Sequence, residues 1–311
     1  MARHPLIALL SLVLLVGCAE SAPAWRELPD ASQARTEVAG AALEGRVVVA
    51  GGLTADGAAS AHVDLYDPKR ERWLRLPDLP EAVHHAVAAT RRDRLYVAGG
   101  YRRASTSDEI SRRAWVLYDR RWHALPSLPE GRAAGGAAIV RNRLYVIGGV
   151  GPSGLARSSL YLDLRTLRWS AFRGLPVPRE HLGVTALRGR LYAVGGRTSG
   201  LDTNTSHADV YDTVARHWSR LPNAPTRRGG NAATTAAGKI VTMGGEAPEG
   251  TIREVDAYDP ESGRWRSLPR SPKPRHGVAV VGIGRLVYQA LGGPKPGLTV
   301  SRSLLALRVP A

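Results

Sequence analysis

Arg94-Leu-Tyr-Val-Ala-Gly-Gly100, Arg143-Leu-Tyr-Val-Ile-Gly-Gly149 and Arg190-Leu-Tyr-Ala-Val-Gly-Gly196 are three versions of one phrase. Each is a short apolar run with no polar alternation, the pattern of a strand covered on both faces, and each stops at paired glycines. The glycine pair recurs at Gly51-Gly52, Gly99-Gly100, Gly148-Gly149, Gly195-Gly196, Gly244-Gly245 and Gly292-Gly293, with spacings of 47 to 49 residues. Trp25, Trp73, Trp122, Trp169, Trp218 and Trp265 keep the same beat, and Trp115 alone is off it. A Leu-Pro pair follows most of these tryptophans, and a Tyr-Asp pair precedes four of them (Tyr66-Asp67, Tyr118-Asp119, Tyr211-Asp212, Tyr258-Asp259). One period departs, with Leu162-Asp163 in place of Tyr-Asp and a delayed Leu175-Pro176.

Each period contains four strand-sized runs. In the third they are Ala133 to Val140, Arg143 to Ile147, Ser159 to Leu164 and Arg168 to Ala171, joined by the tight turn Arg141-Asn142 and by a longer turn of the Asp67-Pro68-Lys69-Arg70-Glu71 kind. Such periods are antiparallel meanders, and a repeat near 50 residues with these markers resembles the kelch blade of a β-propeller. The resemblance runs over residues 25–308 and implies an all-β, six-bladed propeller with four-stranded antiparallel blades. Trp25-Arg-Glu-Leu-Pro29 reads as a fourth strand and Ser303-Leu-Leu-Ala-Leu307 as a third, so the N-terminal strand is expected to complete the last blade in a three-plus-one closure. The repeated aromatics are expected to fill the core between blades.

Composition agrees. Gly (34) and Pro (21) are about 18% of the 311 residues, against about 12% in average usage, which suits many turns and argues against long helices. The one cysteine, Cys18, excludes a disulfide framework and any multi-cysteine zinc site. It also excludes the tyrosine–cysteine cofactor of the copper radical oxidases, which share the kelch fold.

The first residues read as an export segment. Arg3 and His4 precede a 12-residue apolar run from Pro5 to Val16, too short for the ~20 residues of a membrane-spanning helix. The run ends in Leu15-Val16-Gly17-Cys18, which resembles the lipobox of bacterial lipoproteins. The expected organisation is a signal peptide at 1–17, lipidation at Cys18, a tether at 18–24 and the propeller at 25–308. Cleavage after Ala22-Pro23-Ala24 is the alternative. Either route exports the protein, to the outer membrane or cell envelope when lipidated, facing the periplasm or the surface. Ala19 resembles the residues that permit outer-membrane sorting. Export removes nucleic acid as a partner, despite a net charge of +16 built from 43 Lys+Arg against 27 Asp+Glu. That charge would favour acidic surfaces such as glycans or anionic lipids.

Propeller geometry puts the start of strand one and the loop after Gly-Gly on one face, around the channel mouth. Counting back from the basic residue that opens strand two, eleven positions give Arg35, Val83, Arg132, Arg179, Arg228 and Pro274, with Arg275 one place later. Such arginines either tie loop carbonyls or converge as a clamp for a planar anion. Nine positions give Glu37, His85, Ala134, His181, Gly230 and His276. Histidines in alternate blades line the mouth or, as a weaker candidate set for a metal, ligate one with Glu37, although strand side chains aimed at neighbouring blades argue against convergence. After Gly-Gly the residues vary, and Tyr101, Arg197 and Glu246 are the aromatic or polar members. Glu180 and His181 are the candidates for proton transfer.

The resulting expectation is a monomeric, membrane-anchored binding module without a cofactor, engaging a protein or an acidic glycan through this face. The alternative is an enzyme acting on an acidic sugar in the channel mouth. It resembles the exported six-bladed sialic acid mutarotase (an epimerase) in blade count, with Arg132, Arg179 and Arg228 holding the carboxylate.

Overall fold

A computed structural model describes residues 24–102 and 109–310. Six antiparallel sheets follow one another along the chain as propeller blades, and the only helical element among the described residues is the short 3-10 turn Leu201–Thr203. Blade one consists of Ala39–Leu43, Arg46–Ala50, Val63–Asp67 and Arg72–Arg75, paired in that order. Blade three uses Gly136–Val140, Arg143–Ile147, Ser158–Asp163 and Arg168–Arg173, so its first strand starts three residues later than the apolar run suggests. Blade five carries an extra two-residue strand, Gly250–Thr251, on the extended end of Lys239–Ala247. Blade six takes Ala279–Ile283, Leu286–Ala290 and Leu304–Arg308 from the C-terminal region and Trp25–Leu28 from the N-terminal region, with Trp25 opposite Leu307. The expected closure is therefore present.

The second strands are buried on both faces because each side faces a different blade. Val48 and Ala50 pack with Leu95, Val97 and Trp115 of blade two. Val47 and Val49, pointing the other way, pack with Ala279, Tyr288 and Ala306 of blade six. Strand alternation thus feeds two separate inter-blade cores.

Three circles of hydrogen bonds cross the blade boundaries and account for the repeated residues. The innermost joins residues at the start of strand one: the amide of His85 donates to Glu37, Ala134 to His85, His181 to Ala134, Gly230 to His181 and Gly277 to Gly230, and Val38 donates to Gly277 to close the circle. In the second, the amide of the second glycine of the pair donates to the residue at the inner-strand start of the next blade in blades one to five, as Gly100 does to Arg132, and in blade six the first glycine of the pair, Gly292, donates to Arg35. Close approach explains the glycines: Gly99 has φ 67°, and a Cβ there would lie 2.0 Å from the Arg132 carbonyl oxygen. The outer circle is made by tryptophan. The indole N–H of Trp73 donates to Pro29 O, Trp122 to Pro77 O, Trp169 to Pro126 O, Trp265 to Pro222 O and Trp25 to Pro269 O. Trp218 donates to Arg173 O, because the delayed Leu175-Pro176 leaves no proline at that place.

The repeated tyrosines, among them Tyr66, Tyr145, Tyr211 and Tyr258, are buried in the inter-blade core as expected, whereas the on-beat tryptophans are half-buried on the outer strands and pack against that core from its edge. Their rings cap the clusters while the indole N–H latches the preceding blade; off-beat Trp115 is the one that is buried. Tyr66 sits directly across from Trp73, with ring centroids 5.3 Å apart. Blade two differs: its turn at Asp119-Arg120 is a two-residue one with both φ positive, so Leu117 rather than Tyr118 faces Trp122.

Candidate functional site

The inner-strand arginines lie inside the blades. Arg35, Arg132, Arg179 and Arg228 are at most 1% exposed. In each case the guanidinium reaches the carbonyl of the first glycine of its own blade's pair, sixteen residues on: Arg35 to Gly51 (2.5 Å), Arg132 to Gly148 (3.1 Å), Arg179 to Gly195 (2.6 Å) and Arg228 to Gly244 (3.0 Å). The rest of the fork holds strand three, through Asp64 for Arg35 (2.5 Å), Asp209 for Arg179 (2.7 Å), Asp256 for Arg228 (2.7 Å) and the Ser158 carbonyl for Arg132 (2.9 Å). Arg132 is also paired with Glu130. Arg275 takes the equivalent place in blade six and donates to Pro274 O and to the Ser303 hydroxyl. The anion clamp is thus corrected to a set of loop ties. These five groups are buried within the blades and are not among the residues lining the axial cavity; their forks are directed at loop carbonyls and strand-three partners.

Blade six also corrects the register. Its second strand begins at Leu286 rather than Arg285, so the ninth position back is Gly277 and His276 falls one residue earlier. The residues that share this place, Glu37, His85, Ala134, His181, Gly230 and Gly277, all have φ between 52° and 74°. The left-handed conformation takes them out of the strand alternation and aims their side chains into the mouth. This is why the argument against histidine convergence fails. Ala134, between the two histidine blades, has too small a side chain to separate them. His85 Nε2 and His181 Nε2 meet at 2.9 Å over it, with ring centroids 4.8 Å apart.

A continuous network surrounds this contact. Glu37 Oε2 lies 3.0 Å from His85 Nε2, and its Oε1 lies 3.1 Å from His276 Nδ1. His276 Nδ1 is 3.6 Å from Glu246 Oε2. Arg197 bridges Glu246 Oε1 (3.1 Å) and Glu180 Oε1 (2.9 Å), and Glu180 Oε2 lies 2.9 Å from His181 Nδ1. His84 Nδ1 stands 2.6 Å from His85 Nδ1, and the Tyr101 ring packs on both of those imidazoles. Glu180, His181, Arg197 and Glu246 are therefore brought together with His85 and His276, and Tyr101 forms their wall. Asn204, which the repeat pattern did not single out, anchors the strand that carries Glu246 by donating to the Glu246 carbonyl at 2.7 Å.

The electrostatics follow from crowding. Burial alone would raise the Glu37 carboxyl, but the His85 charge, hydrogen bonds from His276 and His85 and the His181 charge outweigh it and hold it well below the ordinary range. Burial likewise opposes ionisation of Glu180, and the hydrogen bond and charge of His181 followed by those of Arg197 bring it down to about 2. For His276, burial pushes the imidazole down, but its bond to Glu37 and the charges of Glu37 and Glu246 raise it overall. The Tyr101 hydroxyl is pushed up to about 12 by burial and by the Glu180 charge, with Arg197 opposing. Three carboxylates against one arginine give the mouth an acidic frame, which favours the charged form of His276.

Small residues line the axial cavity beside the mouth groups. Ala39, Gly40, Ala86, Ala88, Gly136 and Gly183 are among its lining residues, since six first strands converging on one axis leave room only for small side chains, and the cavity volume is about 110 Å³. A Cβ on Gly40 would already lie 2.6 Å from that of Ala279.

The profile of the KLHDC2/KLHL20/DRC7 Kelch-repeats domain matches residues 37–224 and, in a second register, 84–293. The chain belongs to the kelch-repeat family. Kelch-like protein 34 of Homo sapiens is 40% identical over 78 residues, 25% of this chain and 12% of that protein. Alpha-scruin of Limulus polyphemus is 30% identical over 76 residues, 24% of this chain and 8% of the relative. Beta-scruin of the same organism is 29% identical over a stretch of the same length. These kelch matches span roughly one and a half blades and a small part of each relative, so they carry the repeat and not the rest of those proteins.

Cys18 and Arg103 lie outside the described residues, as does the expected signal peptide at 1–17. No helix among the described residues is long and apolar enough to cross a membrane.

Proposed function

We propose that this kelch propeller is an exported, membrane-anchored binding module that engages a protein partner through the loop face around the channel mouth. The observation that carries this reading is the internal use of the inner-strand arginines. With Arg132, Arg179 and Arg228 at most 1% exposed, the carboxylate of an acidic sugar has no clamp in the mouth. A cavity of about 110 Å³ is also well short of the roughly 300 Å³ at which small-molecule pockets begin. Recognition then falls to the rim, where the segments after Gly-Gly differ from blade to blade: Leu53 to Ala58, Tyr101-Arg102, the Gly151 to Gly154 hairpin, Arg197 to Asn204, and Ala247 to Gly250. Rigid blades carrying variable loops suit a protein surface. An acidic glycan is the poorer match at the mouth itself, where Glu37, Glu180 and Glu246 would repel it.

Export and anchoring rest on the residue 1–18 pattern. Metabolic labelling with a palmitate analogue tests them: incorporation lost in Cys18→Ser is expected, and equal labelling of the variant would refute lipidation. The binding face is tested by cross-linking in envelope extract with identification of the captured protein. Charge reversal at Arg102 and replacement of Tyr101 by Ala should abolish one specific partner, while reversal at Arg165 on the opposite face should leave it. Loss with Arg165 alone would place the interface elsewhere, and rapid sugar-anomer exchange by the purified chain would favour catalysis instead.

A further inference from the structure

We infer that Glu37, His85 and His181 form a site for one divalent transition-metal ion of the zinc class at the mouth of the propeller axis. Among the described residues these three are the one group whose ligand atoms converge, all lying within 4.8 Å of one another. His85 Nε2 is the centre, 2.9 Å from His181 Nε2 and 3.0 Å from Glu37 Oε2. A metal at 2.0–2.1 Å from each of three tetrahedral ligands sets those atoms about 3.3 Å apart, so adjustments of about half an ångström for the close pairs, and more for the third separation, would admit one. The contact between the two imidazoles points the same way. For two Nε2 atoms to meet at hydrogen-bond distance, one must present a bare lone pair, which is the form of imidazole that binds a metal.

The second observation is the outer layer. Each ligand has a partner close to its far atom. Glu37 Oε1 faces His276 Nδ1 at 3.1 Å, His181 Nδ1 faces Glu180 Oε2 at 2.9 Å, and His85 Nδ1 faces His84 Nδ1 at 2.6 Å. Arg197 in turn holds Glu180 at 2.9 Å and Glu246 at 3.1 Å. His181, turned to a carboxylate on one side and to the shared point on the other, has the arrangement in which metal-bound histidines are held, while His85 is backed by a second imidazole. Two nitrogens and one carboxylate oxygen suit zinc, and with competing affinity copper(II) or nickel, rather than calcium or magnesium, which prefer all-oxygen sites. Three protein ligands leave a fourth position toward the channel, as in sites that exchange water. His276 belongs to the supporting layer rather than to the ligand set.

The test uses the full chain without a polyhistidine tag, stripped with chelator and titrated with Zn²⁺ by calorimetry and with Co²⁺ by visible absorption. The expected result is one ion per chain, with the intense visible bands of low-coordinate Co²⁺ displaced by Zn²⁺. His85→Gln combined with His181→Gln should weaken binding more than about 100-fold, and Glu180→Gln about 10–100-fold, the range for losing an outer partner. Near-UV circular dichroism of the tryptophans checks that the variants fold. Absence of a stoichiometric site in the wild type would overturn the inference and leave a proton-sharing network. Unchanged affinity in the folded double variant would do the same by moving the ion elsewhere. Should the double variant unfold, X-ray absorption of the zinc-loaded wild type decides: two imidazoles and a carboxylate support the site, and an all-oxygen shell refutes it.

Discussion

Replacing Arg228 by Ala distinguishes a loop tie from a ligand clamp. The side chain is fully buried, with Nη1 donating to Gly244 O (3.0 Å) and Glu254 O (3.2 Å) and Nη2 to Asp256 Oδ2 (2.7 Å). Alanine leaves the Asp256 carboxylate, 1% exposed, without its counter-charge. Breaking a buried pair in this one-sided way costs about 3–5 kcal/mol, because the stranded charge keeps its desolvation penalty. The carbonyl of Gly244 also loses its donor at the point where the Gly-Gly loop leaves strand two. For a large domain each kcal/mol shifts Tm by about 2–4 °C, so the expected fall is about 6–20 °C. Thermal and urea unfolding followed by tryptophan fluorescence read it directly. Replacing both partners, Arg228→Met with Asp256→Leu, should recover much of the loss, since no charge is then stranded. A fall under about 2 °C in Arg228→Ala would refute the structural role and restore the arginine as a group held for a ligand.

Trp73→Phe keeps the ring but deletes the donor to Pro29 O; a loss of about 0.5–1.5 kcal/mol in denaturant unfolding is expected, and no loss would remove the outer latch from the account. Tyr66 is buried, with no hydrogen-bond partner for its hydroxyl among the described residues, so Tyr66→Phe should leave Tm unchanged or higher; a loss above about 1 kcal/mol would contradict this. Burial, followed by the Glu71 charge, also pushes the Tyr66 hydroxyl up from 10.0 to about 12. Its folded form therefore holds the proton more tightly, and the stability this contributes is complete below pH 10 and lost as pH rises toward 12. The Phe variant should lack that part of the alkaline decline in a series of melts. Removing residues 25–29 takes away the strand paired with Leu304–Arg308 and the Trp25 latch to Pro269; limited proteolysis should then cut within blade six, and resistance equal to the full chain would refute the closure.

Much of this was legible from spacing alone. A run such as Arg143-Leu-Tyr-Val-Ile, apolar at every position, can only be a strand covered twice, and six copies at one period leave a ring as the arrangement that covers all of them. The closure was equally legible, because Trp25 carries the mark of a fourth strand with no blade of its own. The roles of the repeated side chains were less so. Arginine at the inner-strand start fits a ligand clamp and a loop tie equally well in one dimension. Only the sixteen-residue reach to a carbonyl, with Asp64, Asp209 or Asp256 arriving from strand three, settles which one is made. Tryptophan had the same ambiguity, since periodicity marks a position as important without saying whether the indole is core or latch.

The mouth shows the limit most clearly. Glu37, His85 and His181 stand in one column of the repeat, so counting along the chain already puts them at one level of the propeller. It could not determine that they touch. That depends on a left-handed backbone at every member of the column, which breaks the strand alternation, and on Ala134 being too small to keep two imidazoles apart. Which residues occupy equivalent places is readable along the chain because equivalence is a matter of counting. Contact among residues from different blades is decided only when the ring closes and converts a common level into a common point.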